Sequence, residues 1–272
     1  MQEKKLQKTF AGEFDKLLEK VQKEENFAFS RFSDGELFML KGEKLELRED
    51  GFTTGDRSGP GVYTSEEQKY FDPEAHHYYR DKLIECLKHR QHNYFKGLTG
   101  VVDEDIAGED SFQFQLDMHG EGDDEHLTFA NVLINNNYPR FINEMFPLIK
   151  ERKIVMICNE ACDFGGLAFE VKKDFRVGTN CIINDYGKIQ EVKDWIRNHD
   201  IKDHVFLFSA STLSNYMIHD CYKEFPDNTY IDIGSALNPW LGISGWMHSR
   251  AYLQHWVLGR PNKYGVQEDV WN

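Results

Sequence analysis

The chain has 272 residues, 40% hydrophobic, 29% charged and 14% aromatic, which suffices for a substantial core and, at about 150 residues per domain, for one or two domains. Lys and Arg number 32 against 46 Asp and Glu, giving a formal charge of −14 at pH 7. That balance argues against tracking a nucleic-acid backbone or an anionic membrane surface, both of which need clustered cations, yet it leaves room for one small phosphate-bearing ligand.

The longest apolar runs, Ile154 to Cys158 and Val205 to Phe208, are strand-length and far short of the ~20 residues of a membrane span. Met1 to Lys8 is polar and lysine-rich and does not read as a signal peptide. Five widely spaced cysteines, Cys86, Cys158, Cys162, Cys181 and Cys221, suggest neither a disulfide framework nor a zinc site. They read as buried or incidental thiols, so the expected compartment is reducing and cytoplasmic.

In chain order, Leu6, Phe10, Phe14, Leu17, Leu18 and Val21 recur at helical spacing, which predicts an N-terminal helix within residues 1–25 packed on the body. Phe27 to Phe32 reads as a strand and Leu37 to Leu40 as a helix start. Lys41 to Pro73, with five glycines or prolines clustered after Asp50, reads as loop. A helix is expected over Ala75 to His89. The Val101-Val102 pair is too short to define a strand, and the alternation of Phe112, Phe114 and Leu116 suggests a half-buried strand. Phe129 to Ile134 and Arg140 to Lys150 look helical.

The second half has a clearer rhythm. Apolar runs at Ile154 to Cys158, Cys181 to Ile183, His204 to Phe208 and Tyr230 to Ile233 alternate with helical segments after Gly166, over Glu191 to His199, and from Leu213 to Cys221. Such alternation predicts an α/β fold, a mostly parallel sheet flanked by helices, with ligands beyond the carboxyl ends of the strands. The preferred layout is a single domain over 1–272 with an irregular insertion around 41–130.

Three segments could carry chemistry. In Phe29-Ser30-Arg31-Phe32-Ser33-Asp34-Gly35-Glu36, Asp34 and Glu36 are two apart and, in extended chain, face one side. Two hard oxygen ligands suit Mg²⁺ or Mn²⁺ bridging to phosphate oxygens, and Arg31 could pair with one of these two carboxylates or a phosphate. The same tetrapeptide also reads as an ordinary turn with Asp34 near a helix N-cap. The junction Phe208-Ser209-Ala210-Ser211-Thr212 offers hydroxyls and free N–H groups for phosphate, or plain capping by Ser211 or Thr212. In Tyr230-Ile231-Asp232-Ile233-Gly234-Ser235, Asp232 interrupts an apolar run. A buried carboxylate there is a metal ligand, a base, a partner for Arg250, or a group that bonds the following turn.

Other features read as structural. The stretch Asp117 to His126 matches no metal-binding pattern and reads as a solvated acidic loop. His76, His77 and His89 read as surface residues of a helix. No P-loop, dinucleotide fingerprint or nucleophile elbow is present.

Together these segments resemble the GT-D-type glycosyltransferase family, whose signature is an Asp-x-Glu pair in a segment like Arg-x-Gly-Asp-Gly-Glu. Here it stands as Arg31-Phe32-Ser33-Asp34-Gly35-Glu36, with Ser33 where the family often has Gly. Ile231 to Leu237 looks like the family's Asp-x-Gly segment, Arg250-Ala251-Tyr252 is similar to an Arg-x-Tyr stretch, and Asn137 to Phe141 bears a weaker likeness. The likeness threads over roughly residues 25 to 255. It implies a Rossmann-like domain that transfers a sugar from a nucleotide sugar, typically UDP-linked, with a divalent metal, Mn²⁺ or Mg²⁺, to a glycan or other acceptor. On that reading Asp34 and Glu36 hold the metal. Arg31, Ser209, Ser211 and Thr212 orient the phosphates, Asp232 is a base or further metal contact, and Arg250 partners a phosphate or carboxylate.

Two alternatives remain open. A metal-dependent phosphoesterase acting on nucleotide or sugar phosphates would use the same carboxylates to activate water. A non-catalytic binding module would use them only to shape a turn. Trp240, Trp246 and Trp256 suit sugar stacking, core packing or a homo-oligomer interface equally.

Overall fold

The computed structural model describes residues 8–61, 68–99, 111–120 and 125–242, without the side chains of Asp34 and Asn136. Arg250, Trp246, Trp256 and Val101-Val102 lie outside the described residues.

The chain forms a Rossmann-like α/β fold. Its sheet joins β1 (Ala28–Phe32), β6 (Tyr94–Leu98), β7 (Leu127–Phe129), β8 (Lys153–Asn159), β9 (Val171–Val177), β10 (His204–Ser209) and β11 (Thr229–Asp232). Their order is β7-β6-β1-β11-β10-β8-β9, and every neighbouring pair is parallel. The interiors of β8 and β10 and all of β11 are buried, because helices cover both faces. All seven carboxyl ends therefore open on one edge.

One face carries α2 (Asp34–Lys41), α3 (His77–Lys88), α8 (Lys188–Asn198) and α9 (Leu213–Glu224). The other carries α1 (Phe10–Gln22), the short turns α5 (Tyr138–Arg140) and α6 (Phe146–Ile149) joined by a π turn over Phe141–Met145, and α10 (Asn238–Leu241). In α1 the predicted stripe of Phe14, Leu17, Leu18 and Val21 is buried, and the Thr9 hydroxyl accepts the Gly12 N–H at 3.1 Å to start the helix.

Several sequence expectations give way. Lys41 to Pro73 holds a second, antiparallel sheet: β2 (Leu45–Arg48), β3 (Gly51–Thr54), β4 (Arg57–Pro60) and β5 (Lys69–Phe71), in the order β4-β3-β2-β5. Its strands are mostly half-exposed, so no apolar alternation marks them. The alternating Phe112, Phe114 and Leu116 sit in α4 (Ser111–His119), whose buried residues are the polar Ser111, Gln115 and His119. Of the expected helix Phe129 to Ile134, Phe129 ends β7 and residues 130–134 form turns, the segment after Gly166 becomes β9, and Cys181–Asn184 is a helical turn, α7, rather than a strand.

The strand β6 is hidden in sequence by a buried Lys96 and by Gly97. The Lys96 ammonium donates to the His89 carbonyl and meets His119 Nδ1 at 3.2 Å. A Cβ on Gly97 would stand 2.7 Å from Ala130 Cα. All five cysteines are buried and free of disulfides, and no described helix is long and apolar enough to cross a membrane.

Candidate functional site

Ser33 follows β1 and starts α2. The Glu36 carboxylate turns back to accept the Ser33 N–H at 3.0 Å, while its other oxygen accepts the Thr212 hydroxyl at 2.7 Å. Glu36 is thus buried at the junction of β1 with the β10–α9 connection, and Thr212 is the residue before α9. Asn215, one turn into α9, donates to the Arg31 carbonyl at 2.6 Å and to the Ser30 hydroxyl at 3.0 Å. The β1–α2 segment is therefore tied to the start of α9 by two side-chain–side-chain bonds and one to a backbone carbonyl.

Arg31 extends from β1 across the sheet edge. Its guanidinium donates to the Ala130 carbonyl at 2.6 Å, to Ser33 Oγ at 3.2 Å and to Asn131 Oδ1 at 3.3 Å, and Nη1 lies 3.9 Å from Asp232 Oδ1. The carboxylate beside Arg31 is that of Asp232, not Asp34 or Glu36 as the sequence suggested. Gly234 makes this approach feasible: its φ of +49° favours glycine, and a Cβ there would stand 2.7 Å from Arg31 Cζ.

Asp232 ends β11, only 6% exposed, and accepts the Gly234 N–H at 2.9 Å. Burial pushes its carboxyl up to about 7, the Arg31 guanidinium pulls the other way, and the Glu36 carboxylate adds to the push. The edge thus holds two carboxylates beside the Arg31 guanidinium, with hard oxygen atoms from Glu36, Asp232 and Thr212. That donor chemistry fits a divalent cation better than a soft metal. Among the described residues no group of three or more His, Cys, Asp or Glu gathers to hold a metal, and the Asp34 side chain lies outside them.

Ser209 closes β10, half-buried, and Ser211 is exposed with a left-handed φ of +49°. The structure therefore brings Arg31, Glu36, Thr212 and Asp232 together at one edge, with Ser209 and Ser211 on the adjoining turn. Sequence reasoning missed Asn215 and Lys69. The Lys69 ammonium, from β5, lies 4.0 Å from where a Gly35 Cβ would stand. Trp240 stacks on Phe146 at 5.6 Å, a core contact. His119 and His126 are buried and bonded to the Leu87 and Tyr94 carbonyls, not solvated, while His89 is half-buried against His219.

No family model and no curated protein matches the sequence. Two solved structures do match in fold. One, a selenomethionine-substituted structure of domain of unknown function 1792, has a TM-score of 0.54 and 9% identity over 88% of this chain and 80% of that one. The other, described as the highly conserved domain of unknown function 1792 with a distinct glycosyltransferase fold, has a TM-score of 0.54 and 8% identity over the same shares. The chain thus shares a fold with a domain described as having a glycosyltransferase fold; at these identities the likeness is one of fold alone.

Proposed function

We propose that the chain is a GT-D-type, metal-dependent glycosyltransferase that moves a sugar from a nucleotide sugar, UDP-linked, to a glycan or other acceptor. The observation that carries this reading is the meeting of Glu36, Thr212, Asp232 and Arg31 at the carboxyl edge of an all-parallel sheet. The likeness in fold to a domain described as a glycosyltransferase fold supports it.

Asp34 and Glu36 would hold the divalent ion, which when bound offsets the charge that develops on the departing diphosphate. Thr212 orients Glu36 through its hydroxyl. Asp232, with its carboxyl near 7, is suited to accept the proton of an acceptor hydroxyl as that oxygen bonds the anomeric carbon. Arg31 and the Gly234 N–H fix the orientation of Asp232.

The test is nucleoside diphosphate release from a panel of nucleotide sugars, with Mn²⁺ or Mg²⁺ or with chelator, and with or without sugar acceptors. Metal-dependent release that rises with one acceptor class supports the transferase. Full release without any acceptor means a phosphoesterase, and no release or binding with any donor leaves a non-catalytic module.

A further inference from the structure

Lys69 sits half-buried on β5, the edge strand of the small antiparallel sheet. Among the described residues, no carboxylate, carbonyl or hydroxyl lies within bonding distance of its ammonium. That is unusual in a chain with 46 acidic residues against 32 basic ones. Lys44, at the start of the same sheet, pairs with Glu46 at 3.5 Å, and Lys82 pairs with Asp220 at 2.7 Å.

Among the described residues, no carboxylate bonds the Lys69 ammonium. Beside it stands Gly35, in the first turn of α2, where backbone N–H groups give the helix its positive end. Glu36, the next residue, has one oxygen on the Ser33 N–H and the other on Thr212. Cys181 also senses Lys69, but burial pushes that thiol up to about 12, so it stays neutral at physiological pH. An ammonium held against the positive end of a helix is repelled unless an anion lies between them.

The position is held by the backbone. The Tyr70 N–H donates to Asn180 Oδ1 at 3.1 Å, which ties β5 to the turn after β9. Lys69 is thereby carried over the carboxyl edge of the main sheet, on the side of α2. The missing side chain at Gly35 leaves the space between ammonium and helix turn open.

We infer that Lys69 binds the diphosphate of the sugar donor, so that the β2–β5 sheet supplies part of the donor site. This rests on the transferase reading above. A lysine ammonium suits a diphosphate as a compact charge with three donors and no fixed fork, and the oxygens can bridge from it to the N–H groups of the α2 turn. Lys69 then contributes in the ground state and as the diphosphate leaves, when its charge rises.

The experiment is calorimetric titration of the full chain with UDP, GDP and dTDP in the presence of Mn²⁺. Wild type is compared with Lys69→Ala, Lys69→Arg and the control Lys44→Ala, and thermal unfolding verifies that each variant folds. Loss of one charge-assisted contact predicts Lys69→Ala binding weaker by about tenfold to a hundredfold, with Lys69→Arg recovering most of it and Lys44→Ala unchanged. Equal affinity of Lys69→Ala and wild type overturns the role of Lys69 and leaves the transferase reading standing. An equal loss in Lys44→Ala also overturns it, since any nearby positive charge would then serve. Wild type that binds none of the three diphosphates overturns both readings. Should Lys69→Ala fail to fold, Lys69→Gln and Lys69→Arg provide the comparison.

Discussion

Arg31 and Asp232 face each other across the β1–β11 boundary, with Nη1 3.9 Å from Oδ1, and the chain reverses at Gly234 to let them meet. The pair is nearly buried, so neither group is solvated enough to stand alone. Arg31 also bonds Ala130 and Asn131 beyond β7, so one side chain links three strand ends that are remote in sequence. The acidic group at the site is thus positioned by a cation from a neighbouring strand.

Gly234→Ala should be destabilising through two separate effects: the left-handed φ and the collision with the guanidinium. Together they should cost about 2–4 kcal/mol, the first accounting for about 1 kcal/mol. Urea unfolding of Gly234→Ala in wild-type and Arg31→Ala backgrounds separates them. The glycine substitution should cost less where Arg31 is already truncated, and equal costs in both backgrounds would show that the collision is relieved elsewhere.

Asp232 should make the metal-free protein less stable as pH rises. The unfolded chain ionises this carboxyl near 3.8, whereas the folded chain holds its proton to about 7. Between those values the unfolded state binds fewer protons, so unfolding is favoured by about 1.4 kcal/mol per pH unit, a few kcal/mol in all. Above about 7 both states are ionised and the loss is complete. Asp232→Asn has no proton to lose, so its stability should fall less from pH 4 to 7 in chelator. Parallel curves for the two proteins would falsify the raised carboxyl.

Much of the second half of the fold was legible because β8, β10 and β11 are covered on both faces and read as unbroken apolar runs. In the first half α1, β1, α2 and α3 were legible too, but β2 to β6 were not, since β6 carries a buried lysine and a glycine, and β2 to β5 are mostly half-exposed. Asp232 was legible as a carboxylate inside an apolar run. The Thr212–Glu36 contact was not, because it joins residues 176 apart whose local sequences suggest no more than helix starts. Lys69 gave no local signal at all: its significance lies in what surrounds its ammonium once the small sheet folds over the edge.

A second buried cluster is predicted to stabilise the α3–α9 interface. Burial alone would push the Asp220 carboxyl up, but hydrogen bonds from His219 and Lys82, both at 2.7 Å, outweigh it and bring the group down to about 2. The shift from 3.8 is worth about 2 kcal/mol, present above pH 3.8 and lost as pH falls through about 2. Asp220→Asn should therefore be less stable than wild type by a constant margin from neutral pH down to about 5 and converge on it below 4. A margin that stays constant to pH 2.5 would mean that the lost stability is not that of an ionised carboxylate.

Glu36 serves the fold and, on the proposed reading, the metal, and two substitutions separate these roles. Glu36→Gln keeps the shape and one acceptor oxygen, so the turn should survive with little change in unfolding temperature. It removes the charge, so metal-dependent sugar transfer and the Mn²⁺-induced rise in unfolding temperature should both vanish. Thr212→Val does the reverse: it leaves the carboxylate intact but takes away its buried hydroxyl partner. That should cost about 1–3 kcal/mol of stability, with a 10–100-fold fall in metal affinity, because the ligand is no longer oriented. Unfolding midpoints measured with and without Mn²⁺ for both variants read the two effects independently of turnover. If Glu36→Gln unfolds early and still responds to Mn²⁺ like wild type, the carboxylate is a helix cap alone, and the metal, if one binds, is held elsewhere.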